Sequence, residues 1–83
     1  QMGRAMKPRK GDLVRVEFDD HVRDGDELIR FAVYGRVLNI TRHAITVAVW
    51  EYADPNVPPD DNVDRYTIAR KAIADVSLMV RAN

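Results

Sequence analysis

Cysteine is absent from the 83 residues, so no disulfide and no thiolate metal site can form. That composition suits a reducing compartment, and a cytoplasmic location is the expectation. No apolar run approaches the ~18 residues a membrane-spanning helix needs, and no membrane partner is expected. No Gly-rich phosphate loop and no His-Glu-x-x-His pair occurs. Serine occurs once, at Ser77, with no histidine near it in sequence, so a serine nucleophile has no local support. No catalytic constellation, cofactor or metal is expected. Net charge is also missing: 13 basic and 13 acidic residues cancel. A whole-chain cationic footprint, the usual mark of a nucleic-acid binder, is therefore excluded.

The charges are nevertheless segregated. Arg4, Lys7, Arg9 and Lys10 precede the first acid, Asp12, and residues 1–10 read as a flexible basic arm. Gln1 before Met2 reads as a tag remnant, and the stretch has no apolar segment of the secretory kind. Residues 11–83 are then expected to form a single domain. Acids gather around Asp19–Glu27 and Asp54–Asp64, as hydrated turns do. His21 with Asp19, Asp20, Asp24 and Asp26 could in principle hold a divalent cation. The spacing matches no calcium loop, and aspartates bonding their own backbone explain it more simply.

The chain is organised around Phe31–Tyr52, FAVYGRVLNITRHAITVAVWEY, read as two strands folded back at Thr41–Ala44. From Ile45 the apolar and small residues alternate with period two. Pairing Ile40 with Ile45 puts Leu38 opposite Val47 on a core face. It puts Val37 opposite Ala48, and Gly35 opposite Trp50, on the other face. That outer face becomes an apolar strip of Val37, Ala48 and Trp50, with Tyr34 and Tyr52 beside it.

A first strand covers Leu13–Phe18, with Val14, Val16 and Phe18 inward. In the second, Ile29, Phe31 and Val33 share one parity, whereas Leu38 and Ile40 have the other. A strand changes its buried face only through a break, so a bulge or bend is expected at Tyr34–Val37. Prolines and aspartates make Ala53–Val63 a loop. A fourth strand, Asp64–Ala69, a single 3₁₀ turn at Arg70–Ile73 and a fifth strand, Ala74–Val80, complete the chain. The rival reading makes Ile68–Met79 one helix, because Ile68, Ala72, Val76 and Met79 fall at helical spacing.

GDLVRVEF, the bent FAVYGRVLNI, ITVAVW and YTIARKAIADVSLM together resemble SH3-like and Sm-like small barrels over Gly11–Val80. The resemblance implies a mainly β, five-stranded closed barrel with at most a short 3₁₀ or helical turn near the C-terminus. It carries over no functional residue, since neither the polyproline-gripping residues of SH3 domains nor the Asp-Gly-Asn pocket of Sm proteins is present. Small barrels of this kind also occur on phages and other mobile elements, an origin the analogy extends to this chain.

Two functions compete, with an enzyme or small-ligand sponge whose site forms only between subunits a distant third. The first is a non-enzymatic binding and assembly module, self-associating and recognising a protein partner through Tyr34, Val37, Ala48, Trp50 and Tyr52. The second is a single-stranded RNA or DNA binder using Arg4, Lys7, Arg9, Lys10, Arg36, Asn39, Arg42 and His43. Trp and Tyr serve both, as interface hot spots and as base-stacking platforms. The plainer reading of Trp50 is packing over Gly35. Glu51 could serve as a general acid only if buried.

Overall fold

The computed structural model describes residues 7–21, 27–57 and 64–82. Five strands form along the chain: β1 (Leu13–His21), β2 (Leu28–Ile40), β3 (Ala44–Ala48), β4 (Arg65–Ala69) and β5 (Ile73–Val80). A 3₁₀ turn, Arg70–Ala72, joins β4 to β5. This excludes a helix over Ile68–Met79. The β-branched residues at Ile73, Val76 and Val80 favour the extended alternative.

All neighbouring strands are antiparallel, in the order β4-β3-β2-β1-β5. The sheet is not closed, which overturns the SH3-like or Sm-like barrel expected from the strand pattern. Closure would need β4 and β5 to exchange backbone hydrogen bonds. Instead β4 spends its pairing on β3, from Ala44↔Ala69 to Ala48↔Arg65. After the turn, β5 pairs with β1, from Phe18↔Ile73 to Leu13↔Val80. Strand count and turn placement are the same for an open sheet and a barrel, so the sequence pattern could not separate them.

The open sheet still curls. In a flat sheet β1 and β4 would lie three strand spacings apart, roughly 14 Å. The rings of Phe18 on β1 and Tyr66 on β4 have centroids only 5.8 Å apart. Inside the curl lies the core: Val14, Val16, Phe18, Val37, Ile45, Val47 and Ile68, with Val33, Ile40, Ile73, Val76 and Leu78 packed around it. The inward parity expected of β1 is thus observed.

The β2–β3 register differs from expectation by one residue. Ile40 does pair with Ile45, and the turn closes through Thr41 N–H donating to Ala44 O at 2.9 Å. But Asn39 pairs with Thr46 and Val37 with Val47, leaving Leu38 as the extra residue of a bulge. The break in parity therefore falls at Leu38 and not at Tyr34–Val37. Val37, 1% exposed, turns into the core, and Ala48, 5% exposed, is buried. The outer strip of Val37, Ala48 and Trp50 is not formed; of the three, Trp50 alone stays exposed.

Gly35 shows why the chain can cross itself here. A Cβ at this position would lie 2.4 Å from the Ala48 carbonyl oxygen. Only glycine allows the end of β3 to approach β2 so closely. Past Ala48 the chain leaves the sheet, with Val49 N–H donating to Asp64 O at 3.0 Å. Trp50 and Tyr52 consequently lie outside any strand.

Candidate functional site

The exit of β3 over Gly35 creates a shallow concavity of about 210 Å³, lined by Tyr34, Gly35, Arg36, Val49, Trp50 and Glu51 among others. Four of the sequence-predicted binding residues meet around it or beside it: buried Ala48 and the exposed Tyr34, Trp50 and Tyr52. Tyr34 is 53% exposed, Trp50 42% and Tyr52 45%. Trp50 and Tyr52 pack edge to face, with ring centroids 5.6 Å apart. That geometry sets the positive edge of one ring against the negative face of the other.

A neighbouring charge holds Tyr34 in place. On the outer face of β1 and β2, Arg15 pairs in register with Tyr34, and Asp19 with Arg30. The Arg15 Nε donates to Tyr34 Oη at 3.0 Å, and its guanidinium carbon sits 5.7 Å from the ring centroid. The same guanidinium binds the Glu17 carboxylate. Arg30 grips Asp19 through Nε at 2.6 Å and Nη2 at 3.3 Å. Hydrogen bonding from Arg15, reinforced by its charge, holds the Glu17 carboxyl below its usual range. Arg30 is held in its charged form chiefly by its bond to Asp19.

Arg36 closes the concavity from below. Its Nε donates to both Glu51 carboxylate oxygens, at 2.9 and 3.1 Å, and its Nη1 donates to Gly11 O at 2.7 Å. Expected as a phosphate contact, Arg36 is instead engaged by a carboxylate. The Glu51 side chain is half exposed, so the burial that a general acid requires is not met.

The remaining nucleic-acid candidates are dispersed. Arg4 lies outside the described residues. Lys7, Arg9 and Lys10 are exposed, and the Arg9 N–H donates to Asp12 Oδ2 at 2.8 Å. Asn39 is exposed on β2. Arg42 and His43 occupy the β2–β3 turn, where Thr41 Oγ1 accepts from the His43 and Ala44 N–H groups at 3.1 and 3.0 Å. Opposite that turn stand Arg70 and Lys71, which sequence reasoning did not select.

A second omission is Asp12, which is fully buried. Its carboxylate accepts from the Arg9 N–H, from Arg81 Nη1 at 3.0 Å and from the Ala82 N–H at 2.8 Å. It ties the start of β1 to the chain beyond β5. The Ala82 N–H is the main reason its carboxyl titrates below the usual aspartate range, against the opposing effect of burial. No sequence signal could reveal this clasp, because two of its partners lie about seventy positions away.

As for chemistry, Ser77 Oγ donates to Asp75 Oδ2 at 3.0 Å and has no described histidine partner. Among the described residues no three His, Cys, Asp or Glu side chains are placed to hold a metal. Asp24 and Asp26, which entered the cation reading of the first loop, lie outside those residues. No described helix is long and apolar enough to cross a membrane. What the described chain presents is a sheet-rich domain with ion pairs and grouped aromatics on its surface. No family model, curated protein or solved structure matches the chain.

Proposed function

We propose that the chain is a binding and assembly module whose partner is protein, in the first instance a second copy of itself. The grouping of exposed Tyr34, Trp50 and Tyr52 around the Gly35 concavity carries this reading. Buried Trp and Tyr contribute more to association than other residue types, and fixing them beforehand lowers the entropy lost on binding. Arg15 holds Tyr34, and Tyr52 holds Trp50 edge-on, so two of the rings are positioned in advance.

Two further features favour a second copy. Zero formal charge leaves no net repulsion between like chains. Among the described strands β4 and β5 are the outermost of the sheet, and β5 ends in exposed Met79 and Val80. Such an edge can extend an interface that the aromatics begin. The test is sedimentation velocity across micromolar concentrations, on wild type and on Trp50→Ala. A concentration-dependent oligomer that Trp50→Ala weakens at least tenfold supports the reading. A wild type that stays monomeric throughout overturns it.

A further inference from the structure

We propose that Arg42, His43, Arg70 and Lys71 form a site for the phosphodiester backbone of single-stranded nucleic acid. This site is separate from the aromatic concavity and does not depend on self-association. The β2–β3 turn and the 3₁₀ turn face one another across an open hollow of about 450 Å³, lined by these four residues and Ala69. The two turns are joined by backbone. The Arg70 N–H donates to His43 O at 2.8 Å, and Arg70 Nε donates to Thr41 O at 3.1 Å. Arg70 is thereby held across the gap, while its two Nη groups have no described protein partner.

Charge complementarity identifies the occupant. Elsewhere among the described residues Arg15, Arg30, Arg36 and Arg81 are each bound to a carboxylate. Among the described residues no carboxylate lines this hollow. Arg42 and Lys71 take part in no described ion pair or hydrogen bond. A chain of zero net charge thus keeps unneutralised cations together at one corner of the sheet.

The form of the hollow distinguishes among anions. All four residues are exposed, unlike the enclosed donors that select one small free anion. Exposed cations spread over two turns instead suit successive charges on a polymer. The feature is recessed between tight turns, whereas duplex grooves are read by a helix or ribbon that protrudes. A single strand can lie in it. No base-reading group lines the hollow beyond His43, so binding is expected to be insensitive to sequence.

The experiment is fluorescence anisotropy with a labelled oligothymidylate of about twelve nucleotides, a length within one small-domain site. Salt is varied between roughly 50 and 200 mM. Three phosphates neutralised by Arg42, Arg70 and Lys71 give a slope of log affinity on log salt of about −2. Arg42→Glu/Lys71→Glu removes about 1.4 from the magnitude of that slope and weakens binding at least tenfold at low salt. Neither side chain makes a described hydrogen bond or ion pair, so the fold should survive; an unchanged thermal midpoint checks this. The control Lys7→Glu/Lys10→Glu, in exposed cations outside the hollow, should change affinity less than threefold.

Absent binding at low salt overturns the proposal, and so does equal loss in the two double variants. Tighter binding of a duplex of the same length refutes the single-strand assignment. Calorimetric titration with inorganic phosphate alone, at constant ionic strength, separates the other source. Saturable phosphate binding without oligonucleotide binding would make this a free-anion site and overturn the polymer reading.

Discussion

Replacing Gly35 with alanine isolates the contact that shapes the concavity. Two effects oppose each other. Where the backbone tolerates a side chain, Gly→Ala stabilises by about 0.4–1 kcal/mol, because the unfolded chain loses freedom. Gly35 lies in β2 with no left-handed φ, so this gain applies. Against it, the new methyl would sit 2.4 Å from Ala48 O, 3.1 Å from Ala48 C and 3.1 Å from Val47 Cβ. The nearest atom is a backbone carbonyl, and Ala48 is fixed in register between Arg36 and Arg65. Relief requires displacing a strand, for which overpacked cores lose about 1–3 kcal/mol. The steric effect wins, and net destabilisation of that order is expected.

Urea unfolding followed by far-ultraviolet circular dichroism reads it directly. With a slope of about 1 kcal/mol per molar for so small a protein, the midpoint should fall by roughly 1–3 M. The thermal midpoint should fall by about 4–8 °C per kcal/mol. Adding Ala48→Gly should not rescue Gly35→Ala, since the clash is with a carbonyl that both residues possess. A midpoint unchanged or raised by Gly35→Ala would refute the close crossing of β3 over β2. Rescue by Ala48→Gly would place the conflict in the side chain.

Asp12→Asn should destabilise the fold by removing the charge that Ala82, Arg9 and Arg81 surround. Because the folded carboxyl titrates below the usual aspartate range, its contribution is complete above about pH 3.9 and is lost as pH falls through the lower folded value. The gap between wild type and Asp12→Asn in urea midpoint should therefore be constant near neutrality and shrink below that pH; a gap that widens in acid would contradict the clasp. Thr41→Ala should cost about 0.5–2 kcal/mol in unfolding free energy, since Thr41 Oγ1 accepts two turn N–H groups; an unchanged midpoint would remove the turn from the stability account. Tyr34→Phe should leave monomer stability within about 0.5 kcal/mol, as expected of an exposed hydroxyl bonded to Arg15, and weaken self-association by loosening the ring; stronger association would contradict the anchoring role.

Local pattern carried much of the fold. Period-two alternation placed Val14, Val16 and Phe18 inward, and Thr41–Ala44 was recognisable as the hairpin turn. The change of parity along β2 demanded a break. Its position was not legible, because a bulge residue is chosen by the register of both strands together. Gly35 drew the prediction to Tyr34–Val37, ending one residue short of Leu38, when its role is to admit the Ala48 carbonyl. Closure was illegible for a related reason: it depends on whether β4 and β5 meet, and neither strand's own residues encode that. At the site, the exposed aromatics were found by residue type alone. The Asp12 clasp and the bonding of Arg70 to Thr41 and His43 join segments distant in sequence, so they emerge only from the folded chain.

Association through the aromatic concavity can be read at its own centre. Trp50 is the single tryptophan, so intrinsic emission reports on that one side chain. In the monomer it is 42% exposed. As concentration is raised through the range where sedimentation detects the oligomer, Trp50 emission should shift to the blue and its quenching by acrylamide should fall. Emission and quenching that stay constant while the mass doubles would place the interface away from Trp50.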